Sequence, residues 1–195
     1  AVAGHGVGLR VQALAFVPGM SVSQATAAMV GQALGANNVE RANAVVRSSL
    51  KLCVLLMSAL GALILTGAYP ITALFGIQPG EPITEYTVTW MKVLGYGMPI
   101  VGIWIAFVGM LQGSGHTKIS LRINLAATTI QIPLSWLLGF PLGMGPLGIW
   151  LAFPLSFAIK AVWGWTEWKR GRWATTGSRP DARPGGVGPS YSAPN

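Results

Sequence analysis

The sequence predicts an all-α, polytopic membrane helix bundle with five transmembrane helices, and three observations carry that expectation. Of 195 residues, 52% are hydrophobic and 9% charged, whereas a soluble domain carries about 25% charged residues. Mean hydropathy is +0.54, and five apolar segments each come near the roughly 20 residues that a helix needs to cross a bilayer. The cations fall between alternate segments rather than on one surface, which is a topology pattern. Runs of this kind are expected as helices, because an open sheet cannot satisfy its edge groups in lipid.

The first segment, residues 7–34, is the most polar, with Arg10, Gln12, Ser21, Ser23, Gln24, Thr26 and Gln32. The second, 52–75, has no charge. The third, 86–111, carries Lys92. The fourth, 119–140, holds Asn124 and Gln131, whose spacing of two helical turns puts both on one face. The fifth, 146–168, ends among Trp163, Trp165 and Trp168, followed by Lys169, Arg170 and Trp173, a pattern that fits an interfacial aromatic belt. Residues 1–173 thus form a membrane domain. Residues 174–195 are rich in Gly, Pro and Ser, cannot bury a core, and are expected to be a disordered cytoplasmic tail.

Loop charges set the orientation. Arg41, Arg47 and Lys51 separate the first two segments; His116, Lys118 and Arg122 separate the third and fourth; Lys169, Arg170 and Arg172 come after the fifth. The remaining two connections hold Glu81 and Glu85 or no charge at all. The positive-inside rule then starts the chain outside and ends it in the cytoplasm. The opening residue is Ala1, and the first segment lacks the basic start and short apolar core of a signal peptide. A longer natural polypeptide is expected.

Function classes narrow next. The formal charge is +8, but the basic residues form no groove-sized patch, so nucleic acid is not an expected partner. The single Cys53 allows no disulfide within the chain, and His5 and His116 are far apart without acids or thiols nearby, so no metal site is expected. There is no G-x-S-x-G, no H-E-x-x-H and no paired carboxylate within a span. The five acids (Glu40, Glu81, Glu85, Glu167 and Asp181) lie in or near loops or the tail, so no intramembrane proton or sodium relay of the usual kind is present. An enzyme is not expected, and no cofactor.

Polar residues inside the spans remain. Gln24, Gln32, Asn124 and Gln131 are the candidates for lining a cavity or binding substrate, with hydrogen-bonded helix packing as the alternative. Gly31 and Gly35 form G-x-x-x-G, a spacing that lets helix backbones approach closely. Gln32 is expected to hydrogen-bond across that contact. Gly61, Gly95, Gly102, Gly109 and Gly113 offer similar faces. Pro18, Pro99 and Pro133 are hinge candidates, since each removes a helix hydrogen bond; Pro70 and Pro154 are expected at helix ends or packing bends. Lys92 and Lys160 are expected to snorkel to an interface.

The stretch "GLRVQALAFVPGMSVSQATAAMVGQALGANNVERA" resembles the eighth helix and following loop of the multidrug and toxic compound extrusion (MATE) family. The resemblance rests on Pro18-Gly19, Ser23, Ala25, Val30-Gly31-Gln32 and Gly35-Ala36. "LQGSGHTK", "INLAATTIQIPLSWLL" and "GPLGIWLAF" are similar, in order, to the loop after the tenth helix, the eleventh helix and the start of the twelfth. This likeness implies a fragment, helices eight to twelve, of a two-lobe, twelve-helix transporter in a cell inner membrane. It implies an antiporter that expels organic cations or drugs as protons or sodium ions enter, with its N-terminal lobe missing from this chain and its coupling acid elsewhere. The expected partners are the lipid bilayer, a small-molecule organic cation and that missing lobe. The competing readings are a lipid-linked oligosaccharide flippase of related fold and an inactive membrane fragment.

Overall fold

A computed structural model describes residues 2–74 and 82–174. These form five α-helices and no strand: α1 (Val2–Gly35), α2 (Val39–Leu74), α3 (Pro82–Gly113), α4 (Thr117–Gly139) and α5 (Gly145–Arg170), with a closing 3₁₀ turn at Arg172–Ala174. Phe75, Glu81 and the tail from residue 175 onward lie outside the described residues. By length and composition α1, α2, α3 and α5 can each cross a membrane. The fourth expected span, α4, is a helix of 23 residues. Lys118 and Arg122 near its start, and Asn124, Thr128, Thr129, Gln131 and Ser135 further on, dilute its apolar character.

The basic connection expected between the first two spans is helical instead. The actual turn is residues 36–38. Asn37 adopts a left-handed conformation at φ 54°, and the Asn38 amide donates to the Ala33 carbonyl at 2.9 Å while the Asn37 amide donates to Leu34. This is a Schellman-type stop. The Asn38 side chain then accepts from the Arg41 amide at 2.8 Å, capping the start of α2. Arg41, Arg47 and Lys51 therefore project from the first turns of α2, while Ala42, Val46, Ser49 and Cys53 point inward. Residues 114–116 repeat the device: Gly115 sits at φ 79°, and the His116 amide reaches the Leu111 carbonyl at 2.7 Å.

Helix α3 is the hub. It packs on α2, α1 and α5, while α4 packs mainly on α5. Of its most apolar stretch 67% is buried within the chain, against 28% for α1 and for α2. Lipid tails are as apolar as Leu, so packing and hydrogen bonds must hold such helices together. The glycines of α3 supply the close packing. A Cβ at Gly95 would fall 3.0 Å from the Gly61 carbonyl oxygen, at Gly102 2.8 Å from that of Cys53, and at Gly109 2.5 Å from that of Ser23. Gly113 likewise meets Ala27. The first two glycines seat α2 and the last two seat α1.

Gly31 and Gly35 stand in different surroundings within this chain. A Cβ at Gly31 would lie 3.2 Å from the Gly113 oxygen, but nothing lies within 4 Å of one at Gly35. Gln32 is exposed rather than bonded across a contact. The register explains this. Gly113 ends α3, so that helix does not extend opposite Gly35.

Pro18, Pro70, Pro99, Pro133 and Pro154 all lie inside helices. Pro154 marks no helix end; its Cβ lies 3.1 Å from where a Gly97 Cβ would sit, at the α3–α5 contact. Trp173 departs from the aromatic-belt expectation. It is 2% exposed, folded back so that its Nε1 donates to the Trp168 carbonyl at 3.1 Å, after Gly171 ends α5 in a left-handed conformation at φ 67°. Trp163 and Trp165 remain exposed, as a belt requires.

Candidate functional site

Two polar stripes are left open by this packing. On α1, Ser21, Gln24, Ala28, Gln32 and Gly35 succeed one another at helical spacing, and all are exposed. The stripe is small and polar where the rest of the outer face, Leu14, Val17 and Met20, is apolar. On α4, Asn124 and Thr128 are exposed and Gln131 is half-buried on the same side. Asn124 lines a pocket of about 240 Å³ between α3 and α4, together with Gln112, Thr117, Ser120 and Trp104. The structure thus places Asn124 and Gln112 on one pocket. It does not bring Gln24 and Gln32 to Asn124 and Gln131, because α1 packs on α3 and α2 while α4 packs on α5. Of the hinge candidates, Pro18 and Pro99 are half-buried and Pro133 is exposed.

The buried side of α1 is also polar. Ser23 Oγ and Gln12 Oε1 are enclosed without a hydrogen-bond partner. Ser23 sits where α1 crosses Gly109, and a hydroxyl left unpaired in such a place costs free energy. One turn on, Thr26 Oγ1 donates to the Val22 carbonyl at 2.7 Å and shares a 2.6 Å hydrogen bond with Ser49 Oγ of α2. A second tie, from Trp168 Nε1 to Asn43 Oδ1 at 3.2 Å, joins α5 to α2.

Lys160 departs most from expectation. It does not snorkel: it is 5% exposed, with Nζ 4.5 Å from the centroid of the Phe157 ring, a cation–π contact. Lys92, by contrast, is exposed. The signal for Lys160 lies in the spacing. Gly148, Ala152, Ser156, Lys160 and Gly164 recur every fourth residue and are all buried, so a small-residue stripe carries the lysine inward.

Comparison with known proteins decides the family. The MatE family model matches residues 1–137. This chain belongs to the MatE family. Its MatE relatives include two probable multidrug resistance proteins NorM. The one from Bradyrhizobium diazoefficiens is 29% identical, over 83% of this chain and 35% of its own length. That from Thermotoga maritima is 25% identical, over 89% and 37%. This chain therefore spans little more than a third of the length of the relatives it matches. Among solved structures, an inward-facing multidrug resistance MATE family transporter of the MOP superfamily superposes with a TM-score of 0.81 at 22% identity, covering 90% of this chain and 40% of that one. The eukaryotic MATE transporter AtDTX14 gives 0.79 at 22%, covering 88% and 38%. Both carry the same fold over the part that this MatE chain represents.

Proposed function

We propose that this chain forms helices eight to twelve, in the C-terminal lobe, of a secondary active antiporter that exports organic cations or drugs in exchange for protons or sodium ions. The observation that carries the reading is the MatE match over residues 1–137, laid on a fold whose first helix leaves a small, polar stripe open. Ser21, Gln24 and Gln32 on that stripe are poorly suited to lipid and well suited to a water-filled path between two lobes. In this reading α1 faces the path, the lobes rock about a central site, and Pro18, Pro99 and Pro133 absorb part of the motion. The described acids sit at helix ends: Glu40 and Glu85 in first turns, Glu167 in the last turn of α5. The coupling acid is then supplied by the other lobe. The protein resides in a cell inner membrane with its C-terminus in the cytoplasm, in keeping with the cations at that end.

The test is efflux of a fluorescent organic cation by the full-length protein in vesicles, driven in turn by a proton and a sodium gradient. Gradient-driven efflux that falls at least tenfold in Gln24→Leu/Gln32→Leu, at unchanged membrane abundance, supports the reading. Unchanged efflux in that variant removes the α1 stripe from the path. No efflux under either gradient, with movement of a lipid-linked oligosaccharide instead, selects the flippase.

A further inference from the structure

On the face where α2 and α5 flank α3 lies an open cleft of about 540 Å³, lined by Leu50, Lys51, Val54, Leu55 and Ser58 of α2, Ile103 of α3 and Trp165 of α5. Its walls are almost wholly apolar, and their outer parts are exposed: Leu55 is 70% and Trp165 43% exposed. Cations border it from two helices. Lys51 lines the cleft from α2 and is exposed, with exposed Arg47 one turn away. From α5, the Lys169 Nζ lies 5.6 Å from the centroid of the Trp165 ring. Glu167 of α5 is already engaged by Arg170 Nη1 at 2.9 Å. One lysine thus lines the apolar trough and a second lies over the indole that forms its α5 wall, and no carboxylate is among the residues that line it.

We propose that this cleft is a binding site for an anionic phospholipid, its phosphate held between Lys51 and Lys169 and one acyl chain laid along Val54, Leu55 and Ser58 over Ile103. Charge complementarity selects the occupant. A zwitterionic lipid fits the trough equally well but offers no net charge to the lysines, whereas each cation near the surface favours an anionic lipid by roughly fivefold. Trp165 forms part of the wall, with its indole between the apolar trough and the ammonium of Lys169, as interfacial tryptophans do. The site is independent of what the protein transports.

Trp165 makes the site readable. The full-length protein is reconstituted in phosphatidylcholine vesicles carrying an equal minor fraction of brominated phosphatidylglycerol or brominated phosphatidylcholine. The Trp165 component is the difference between the wild type and Trp165→Phe. That component is expected to be quenched several-fold more strongly by the brominated anionic lipid. The preference should disappear in Lys51→Gln/Lys169→Gln, exposed positions where folding is not at stake. In Ser58→Phe, which fills the trough and leaves both lysines, quenching by either lipid should fall. Equal quenching of the wild type by the two lipids would overturn the proposal, and so would a preference that survives loss of both lysines. Relief of the quenching by added inorganic phosphate would reassign the lysines to a free anion.

Discussion

The glycines of α3 and the glycines that end α1 look alike in sequence and behave differently in the fold. Both sets recur at helical spacing. Gly95, Gly102, Gly109 and Gly113 each meet the backbone of a neighbouring helix, whereas Gly31 meets one carbonyl and Gly35 meets nothing. Spacing provides the opportunity for close approach; a facing backbone at the same height decides whether it is used. Helix α3 has neighbours along its length on three sides. In the last turn of α1, Ala33 and Leu34 are buried against the core, while Gly35 on the other side of the turn faces open space.

The strongest way to break this comparison is to fill the seam. Gly109→Leu would place a branched side chain where Ser23 Cα is 3.2 Å from the new Cβ and its carbonyl is closer still. Backbone cannot swing aside as a side-chain tip can. Overpacking typically costs about 1–3 kcal/mol and sometimes more, and here it is expected to reach the upper end and beyond. The outcome is loss of folded protein, read as membrane yield and thermal unfolding in detergent. A Gly109→Leu protein with wild-type yield and unfolding temperature would mean that α1 and α3 do not cross there.

Next in size is the polar tie between α1 and α2. Thr26 Oγ1 donates to its own helix and accepts from Ser49. Removing Ser49 leaves Thr26 with its donor still satisfied. Removing Thr26 takes the oxygen acceptor from the buried Ser49 hydroxyl and leaves it only the weak partner Cys53. Thr26→Val is therefore expected to cost more than Ser49→Ala, and a double-mutant cycle should return a coupling near 0.6 kcal/mol, the typical interhelical value in a membrane. Equal single costs with zero coupling would dissolve the tie.

Much of the fold is legible in sequence because its determinants are local. Apolar length sets the helices, and Asn38 or a glycine with a cation soon after it sets their ends. What escapes such reading depends on rotation about a helix axis. Lys160 has the sequence position of a snorkelling residue, because its distance from the helix end is visible in sequence and its direction is not; only the small residues every fourth position betray it. The basic run after Gly35 has the composition of a loop for a related reason. Three cations dominate it, yet Ala42, Val46 and Ser49 beneath them hold helical spacing. Of the candidate site, the residue types are legible and their grouping is not. Asn124 and Gln112 come to line one pocket from two helices, a grouping fixed only when α4 settles against its neighbours.

The smallest effects sharpen the comparison most, because they separate two residues four apart. An Ala at Gly31 meets the Gly113 oxygen at 3.2 Å, a few tenths of an ångström too close, so it should cost up to about 1 kcal/mol as the helices ease apart. An Ala at Gly35 meets open space. There the steric term vanishes and the propensity term remains: Gly is worse than Ala by as much as about 1 kcal/mol inside a helix, and less at a last residue such as Gly35. Gly35→Ala is thus expected to be neutral or to raise the unfolding temperature slightly, and Gln32→Ala, exposed beside it, to leave it unchanged. Gly31→Ala should lower it. If Gly35→Ala instead destabilises as much as Gly31→Ala, the full-length protein places a second backbone against that turn. The G-x-x-x-G pair would then be a contact surface for a segment beyond this chain.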